Sequence, residues 1–271
     1  LYEFCSNEDI NMKQLFAGTT HLVLDEADRL LERRRYPELQ QLLEDIQADH
    51  RQTLLFSATF QLTAAFQAKK SKTAMDVEMA RIVQSLHMNN AEILEVSTEQ
   101  QTVEGCVEKK IVVPSLMRDQ ALFYLLTKEK PGKTLIFVNA ITMVKRLVPL
   151  LQTMGVRAWG LFSEMKMQQR LTNVEKFTRT PDSVLVTTDV AARGIDIDDI
   201  QTVVHYDLPR TVELYVHRTG RTARAGRTGQ AVALVEKENQ APFKHLLREL
   251  KKPDFPVIEM EAKTFNRTIR I

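Results

Sequence analysis

Four short clusters in this 271-residue sequence combine residue types suited to handling a nucleoside triphosphate and a polyanion. Asp25-Glu26-Ala27-Asp28 follows the apolar run Thr20-His21-Leu22-Val23-Leu24, so three carboxylates leave the carboxyl end of a predicted strand. Open α/β sheets bind ligands at that end. An Asp placed there can hold Mg2+ through its water shell, and the adjacent Glu can orient or deprotonate an attacking water. The same residues would also serve as an acidic first turn that steadies a helix dipole. Ser57-Ala58-Thr59 ends the next predicted strand and offers two hydroxyls to a neighbouring carboxylate, although hydroxyl residues at strand-to-helix turns commonly cap helices.

The third cluster, Thr187-Thr188-Asp189-Val190-Ala191-Ala192-Arg193-Gly194-Ile195-Asp196, again begins where a strand ends. Its hydroxyls and amides suit a phosphate backbone, and Asp196 suits a ribose. The fourth is His217-Arg218-Thr219-Gly220-Arg221-Thr222-Ala223-Arg224-Ala225-Gly226-Arg227. Between Arg210 and Arg227 lie five Arg and one Glu, four net positive charges in eighteen residues of a chain whose formal charge is only +2. Arg221 and Arg224 are three apart, a spacing that predicts one helix face from which both guanidinium groups reach a single γ-phosphate. A solvated basic helix end is the plainer reading of such a run, but Gly220 and Gly226 stand where close approach of a ligand would need them.

The elements that must position these residues follow from periodicity. Short apolar runs alternate with helical patterns of roughly 10 to 20 residues, the signature of βαβ units and a parallel sheet. Strands are predicted at 20–25, 53–56, 92–96, 108–113, 134–138, 156–161, 183–187, 202–205 and 230–235. Helices are predicted at 26–47, 116–128, 141–154, 167–178, 212–220 and 240–250. The polar stretch Ser97 to Glu104 marks a boundary between domains of residues 1–100 and 101–250. The second reads as a complete doubly wound domain, whereas the first offers about three strands and reads as incomplete. A Lys- and Met-containing insertion occupies about 69–88, and 251–271 reads as a docked extension beginning near Pro253.

Composition excludes several classes. With 44% hydrophobic and 27% charged residues, disordered and fibrous chains are out. Cys5 and Cys106 have no partner at metal-ligand spacing, so neither a disulfide framework nor a zinc site is indicated, and a reducing compartment is expected. The most apolar stretches, such as Thr134 to Val144, are about half the ~18 residues of a membrane span, so no membrane partner is expected. Leu1-Tyr2-Glu3-Phe4 carries neither an initiator Met nor a signal sequence, and the sequence is expected to be an excerpt of a longer one.

In this order and spacing the motifs resemble those of the DEAD-box RNA helicases: Asp25-Glu26-Ala27-Asp28, Ser57-Ala58-Thr59, Leu135-Ile136-Phe137-Val138-Asn139, the Thr188 to Asp196 loop and the His217 to Arg224 segment. The resemblance implies an α/β architecture of two RecA-like parallel-sheet domains, the first incomplete, with ATP and Mg2+ as cofactors and RNA as partner. It implies Mg2+ at Asp25, water activation by Glu26, and coupling of hydrolysis to strand separation by Asp28, Ser57 and Thr59. It further implies a nucleotide-binding Gly194 and Asp196, arginine fingers at Arg221 and Arg224, and His217 bridging towards the acidic motif. Arg170 and Thr187 match RNA-backbone positions, with Asn139 adding to that surface. Leu1-Tyr2-Glu3-Phe4, the Lys-rich insertion after Ser57-Ala58-Thr59, Gln169 to Phe177 and Phe255-Pro256-Val257 are similar to the Mak5-type subgroup, which implies a nucleolar, monomeric helicase core acting on pre-ribosomal RNA and its proteins in large-subunit assembly.

The departures are specific. Such helicases carry an upstream Gly-rich phosphate loop, expected here outside this sequence, and Gly132-Lys133-Thr134 does not replace it because it precedes a strand rather than opening a helix. Met167 stands where the family usually has Gln. Taken alone, the sequence therefore also fits an RNA-binding or scaffold piece without catalysis.

Overall fold

The structure is a computed structural model that describes residues 16–25, 27, 43, 46, 51–56, 86, 92, 94, 105–192, 197, 199–224, 226–238 and 240–260. The chain divides into two compact units, Leu1–Val96 and Ser97–Ile271.

In the first unit, β1 (His21–Leu24) pairs in parallel with β2 (Gln52–Leu55), His21 opposite Gln52 and Leu24 opposite Leu55. Two backbone bonds continue the pairing past the strand ends: Phe56 donates to the Leu24 carbonyl at 2.9 Å, and Ala27 donates to the Phe56 carbonyl at 3.0 Å. Leu24, Ala27, Leu43, Ile46 and Leu86 are buried. Ala27 and Leu43 are helical, in keeping with the helix expected over 26–47, whose other residues lie mostly outside the described ones. Glu92 and Leu94 are not in a strand, and the rest of the strand expected at 92–96, like nearly all of the 69–88 insertion, lies outside the described residues.

The second unit contains β3 (Cys106–Val113), α1 (Arg118–Tyr124), β4 (Thr134–Val138), α2 (Ile141–Thr153), β5 (Ala158–Leu161), α3 (Met167–Arg179), β6 (Val184–Thr188), β7 (Thr202–His205), α4 (Val212–Thr219), β8 (Gly229–Glu236) and α5 (Ala241–Glu249). The strands form one parallel sheet in the order β3-β8-β7-β4-β6-β5. Alternation along β4 explains its place at the centre. Ile136 and Val138 face the core formed with Leu122 and Leu125 and with Leu147 and Leu151 of α2, while Leu135 and Phe137 face Phe177 of α3. Tyr215 of α4, Phe243 and Leu246 of α5 and Phe255 close the second face beside β8. From β4 the chain runs outward to β5 on one side and returns to β7 on the other, so the carboxyl ends of β4, β6 and β7 meet at the switch point where such sheets bind ligands.

Polar contacts fasten the helices. Arg146 of α2 donates two bonds to the Asp119 carboxylate, at 2.7 and 2.9 Å, and Tyr206 donates to Asp119 at 2.8 Å. Burial opposes ionisation of Asp119, but the bonds from Arg146 and Tyr206 outweigh it and hold the carboxyl below its usual range. Burial and the Asp119 carboxylate push the Tyr206 phenol up to about 12.

The carboxyl-terminal extension covers the open edge of β3. Lys251 stops α5 in a left-handed conformation at φ 52°. Lys110 donates its backbone N–H to the Pro256 carbonyl at 2.9 Å, and Ile258 donates to the Lys110 carbonyl at 2.8 Å. Two ion pairs, Lys110 with Asp254 and Lys252 with Glu108, join the same segments, and the Tyr215 hydroxyl donates to Glu108. An uncovered edge strand is a template for unwanted pairing, and this segment removes part of it. No helix among the described residues is long and apolar enough to cross a membrane.

Two outcomes follow. Truncating Phe255 to Ala empties a core position and should lower the unfolding free energy by about 3–5 kcal/mol in urea titrations, whereas a loss below about 1 kcal/mol would mean the extension is not part of the core. Asp119 has a depressed folded pKa, so its stabilisation is present above about pH 4 and is lost as the pH falls through the lower folded value. The unfolding midpoints of the wild type and Asp119→Asn should therefore differ at pH 6 and converge towards acid.

Candidate functional site

In the first unit the described part of the acidic motif is Asp25 and Ala27. Asp25 is exposed immediately after β1, and the Ala27 to Phe56 bond brings the backbone after Asp25 against the residue preceding Ser57. Glu26, Asp28, Ser57 and Thr59 lie outside the described residues.

The second unit is organised by a residue that the sequence reading passed over. Arg218, in the last turn of α4, is 1% exposed, yet every end of its guanidinium is met. Nε and Nη2 donate to the two Asp189 oxygens at 2.7 and 2.8 Å, Nη1 donates to the Asp207 carbonyl at 2.6 Å, and Nη2 also donates to Asn139 Oδ1 at 2.8 Å. The Phe137 ring lies 5.2 Å away. The bidentate pair with Asp189 offsets the large cost of desolvating a cation, while the two neutral acceptors satisfy its remaining donors. One buried side chain thus joins the segments that follow β4, β6 and β7. The signal was present in the sequence, since Asp189 and Asp207 each stand directly after or near a strand end and Arg218 sits inside the basic motif.

A second cation would be intolerable at this depth. His205, wholly buried at the end of β7, stacks on Tyr215 with ring centroids 4.9 Å apart, and its Nε2 is 3.4 Å from the Thr219 hydroxyl. Burial first, and the Arg218 charge second, hold its pKa well below the ordinary histidine value, so the ring is neutral.

Local sequence explains where the arginine-bearing segment turns. Thr211 caps α4 by accepting a bond from Leu214 N–H at 3.3 Å, and the helix ends at Thr219 with Gly220 as its carboxyl cap. Thr222 is buried, and its hydroxyl donates to the Ile200 carbonyl at 2.6 Å. Ala223 is left-handed at φ 54°. A Cβ on Gly229 would stand 2.1 Å from the Thr222 hydroxyl oxygen, so the strand that receives this turn requires glycine there.

Several expectations are corrected by these contacts. Arg221 and Arg224 do not share a helix face: they lie on the turn after α4, because the Thr222 anchor and the left-handed Ala223 end the helix at Thr219. Arg221 is half-buried, and Arg224 is exposed with its Nε donating back to the Gly220 carbonyl at 2.6 Å. Thr187 does not present its side chain to a ligand, being 0% exposed with its hydroxyl on the Thr188 carbonyl at 3.1 Å. Asn139 is exposed, and its side chain accepts from Arg218 and donates to the Leu208 carbonyl at 3.1 Å. Arg170 of α3 is half-buried and donates to the Ala191 carbonyl at 3.3 Å, steadying the turn after β6. His217 is half-buried in the last turn of α4. Gly194 and Asp196 lie outside the described residues.

Fold and site together define a RecA-like unit of the helicase type. "DEAD/DEAH box helicase" matches residues 4–66, and "Helicase conserved C-terminal domain" matches residues 117–226. The human ATP-dependent RNA helicase DDX24 is 40% identical over 93% of this chain and 30% of its own length. Mak5 of Schizosaccharomyces pombe is 36% identical over 91% of this chain and 40% of its own. The Saccharomyces cerevisiae Dbp5 structure bound to RNA and ADP BeF3 has a TM-score of 0.72 at 25% identity, over 92% of this chain and 62% of that one. The chain belongs to the DEAD-box family of helicases and, within it, to the Mak5 type. It spans about a third of the length of the curated relatives it matches.

Removing Arg218 leaves Asp189, whose side chain is 20% exposed, without its counter-charge, and the loss of one partner of such a largely buried pair costs about 3 kcal/mol, the low end of the range because water reaches this carboxylate. Arg218→Met should lower the unfolding free energy by that amount in denaturant titration. A loss under about 1 kcal/mol would show that the pair does not organise the unit.

Proposed function

We propose that this chain carries part of the core of an ATP-dependent RNA helicase that works on pre-ribosomal RNA during large-subunit assembly in the nucleolus. The observation that carries the reading is the buried Arg218, which fastens three segments at the carboxyl ends of the sheet and leaves Arg221 and Arg224 on the turn that follows. Support for the substrates comes from the relatives, named ATP-dependent RNA helicases, and from Dbp5, solved with RNA and ADP BeF3. Support for the setting comes from the similarity to the Mak5 type.

The chemistry divides among named side chains. Asp25 offers one exposed carboxylate at the carboxyl end of a parallel strand, a hard-oxygen donor suited to Mg2+, which retains most of its waters and takes phosphate oxygens. When bound, that ion neutralises charge on the β- and γ-phosphates. Glu26 orients the attacking water and accepts its proton. Arg221 and Arg224 stabilise the charge that spreads over the γ-phosphate oxygens during transfer. Gly194 and Asp196 hold the nucleotide, Asp196 through the ribose. Asp28, Ser57, Thr59 and His217 link hydrolysis to the grip on RNA, with Arg170 on the phosphate backbone. Pre-ribosomal proteins are the expected neighbours of a core that acts as a monomer. RNA contacts of this kind go to sugar and phosphate, so binding weakens as salt rises.

In the natural protein, Glu26→Gln should retain ATP and RNA binding while RNA-stimulated turnover falls by roughly 10²- to 10⁴-fold. Unchanged turnover would overturn the assignment. Wild-type protein that binds RNA without hydrolysing ATP would transfer the reading to a non-catalytic scaffold.

A further inference from the structure

Arg118 opens α1, far in sequence from every motif above, and its side chain is 17% exposed. Its Nη1 donates to Glu236 at the end of β8 at 3.0 Å, and Nη2 donates to Asp207 Oδ1 at 2.6 Å and to the Tyr206 carbonyl. The guanidinium lies 4.2 Å from the centroid of the Tyr206 ring. Asp207 is therefore gripped from two sides. Arg118 holds its carboxylate, and Arg218 holds its main-chain carbonyl. The second carboxylate oxygen accepts the Asn139 N–H at 2.9 Å, and Asn139 in turn accepts from Arg218. Moving Asp207 would disturb two of the three acceptor sites that fix Arg218, while the bidentate bond to Asp189 remained.

We propose that Arg118 is a positioning residue for the arginine-bearing turn, acting through Asp207 on Arg218 and so on Arg221 and Arg224. It touches no substrate in this scheme. The inference rests on the reading that Arg221 and Arg224 serve ATP hydrolysis. Arg118 pairs with both Asp207 and Glu236, so one cation bridges two acids at the carboxyl ends of adjacent strands. Loss of the cation leaves the two carboxylates to repel one another, and Asp207 is the one joined to the site.

The test compares Arg118→Met, Arg118→Lys, Asp207→Asn and the Arg118→Met/Asp207→Asn double variant in the natural protein. Lys110→Met, which breaks the ion pair with Asp254 at the distant β3 edge, serves as a stability control. A displaced turn costs about 10- to 100-fold in turnover because the reacting geometry is lost. Arg118→Met and Asp207→Asn should each lower RNA-stimulated kcat to that extent with KM for ATP within about threefold, and the double variant should add little to either. Arg118→Lys should recover part of the loss. Lys110→Met should leave kcat within twofold at an equal or greater loss of thermal stability. A second readout needs no turnover: hydrogen exchange of the Arg218 Nε–H, bonded to Asp189, should quicken at least tenfold in Arg118→Met and not in Lys110→Met. Arg118→Met with wild-type kcat, additive losses in the double variant, or unchanged Arg218 exchange would each overturn the proposal. Failure of the hydrolysis reading looks different, since the wild type would then lack turnover that depends on Glu26 while the exchange result still decides whether Arg118 positions Arg218.

Discussion

A guanidinium that is 1% exposed must find a counter-charge and an acceptor for its remaining donors, and Arg218 meets that demand with Asp189, Asp207 and Asn139. Those three residues follow three different strands, so the requirement of one buried cation becomes a geometric constraint on the whole carboxyl end of the sheet. Desolvation makes the constraint strict. A partial set of partners would leave a charge in low dielectric, whereas the complete set yields a rigid node. The neutral state of His205 belongs to the same balance, because a protonated imidazole would place a second cation against the first.

The node divides the basic segment into a buried and a more exposed part. Five arginines occur between Arg210 and Arg227, and their environments separate their tasks. Arg218 is buried and neutralised within the fold. Arg221 and Arg224 follow on a turn whose path is set by the Thr222 hydroxyl, the left-handed Ala223 and the absent side chain of Gly229. One arginine is thus kept inside as part of the fold, while Arg221 is half-buried and Arg224 exposed.

Away from the node, the sheet is held by ordinary means. Parallel strands with apolar residues on both faces require helices on both sides, and β4 supplies alternate residues to each layer. The edge strand β3 is covered by residues 252–258, whose ion pairs and backbone bonds place Phe255 against Tyr215 and Phe243. Tyr215 belongs to α4, the helix that carries Arg218, so the extension and the site share one helix.

The sequence by itself determined the element order. Apolar runs and helical periodicity located all six strands of the second unit within about two residues, because burial on both faces of a parallel sheet leaves little freedom in composition. It also located the motifs at strand ends, since residue type and spacing carry that information. Tertiary structure alone decided which members of those motifs face inward. Thr187 lies in a strand buried on both faces, so its hydroxyl is enclosed, and Asn139 is drawn to Arg218 only because three strand ends converge. Local spacing suggested a helix through Arg221 and Arg224, but the bond from Thr222 to Ile200 spans 22 residues and ends it. Partners so distant in sequence are brought together by the strand order, and strand order is the property that periodicity does not encode.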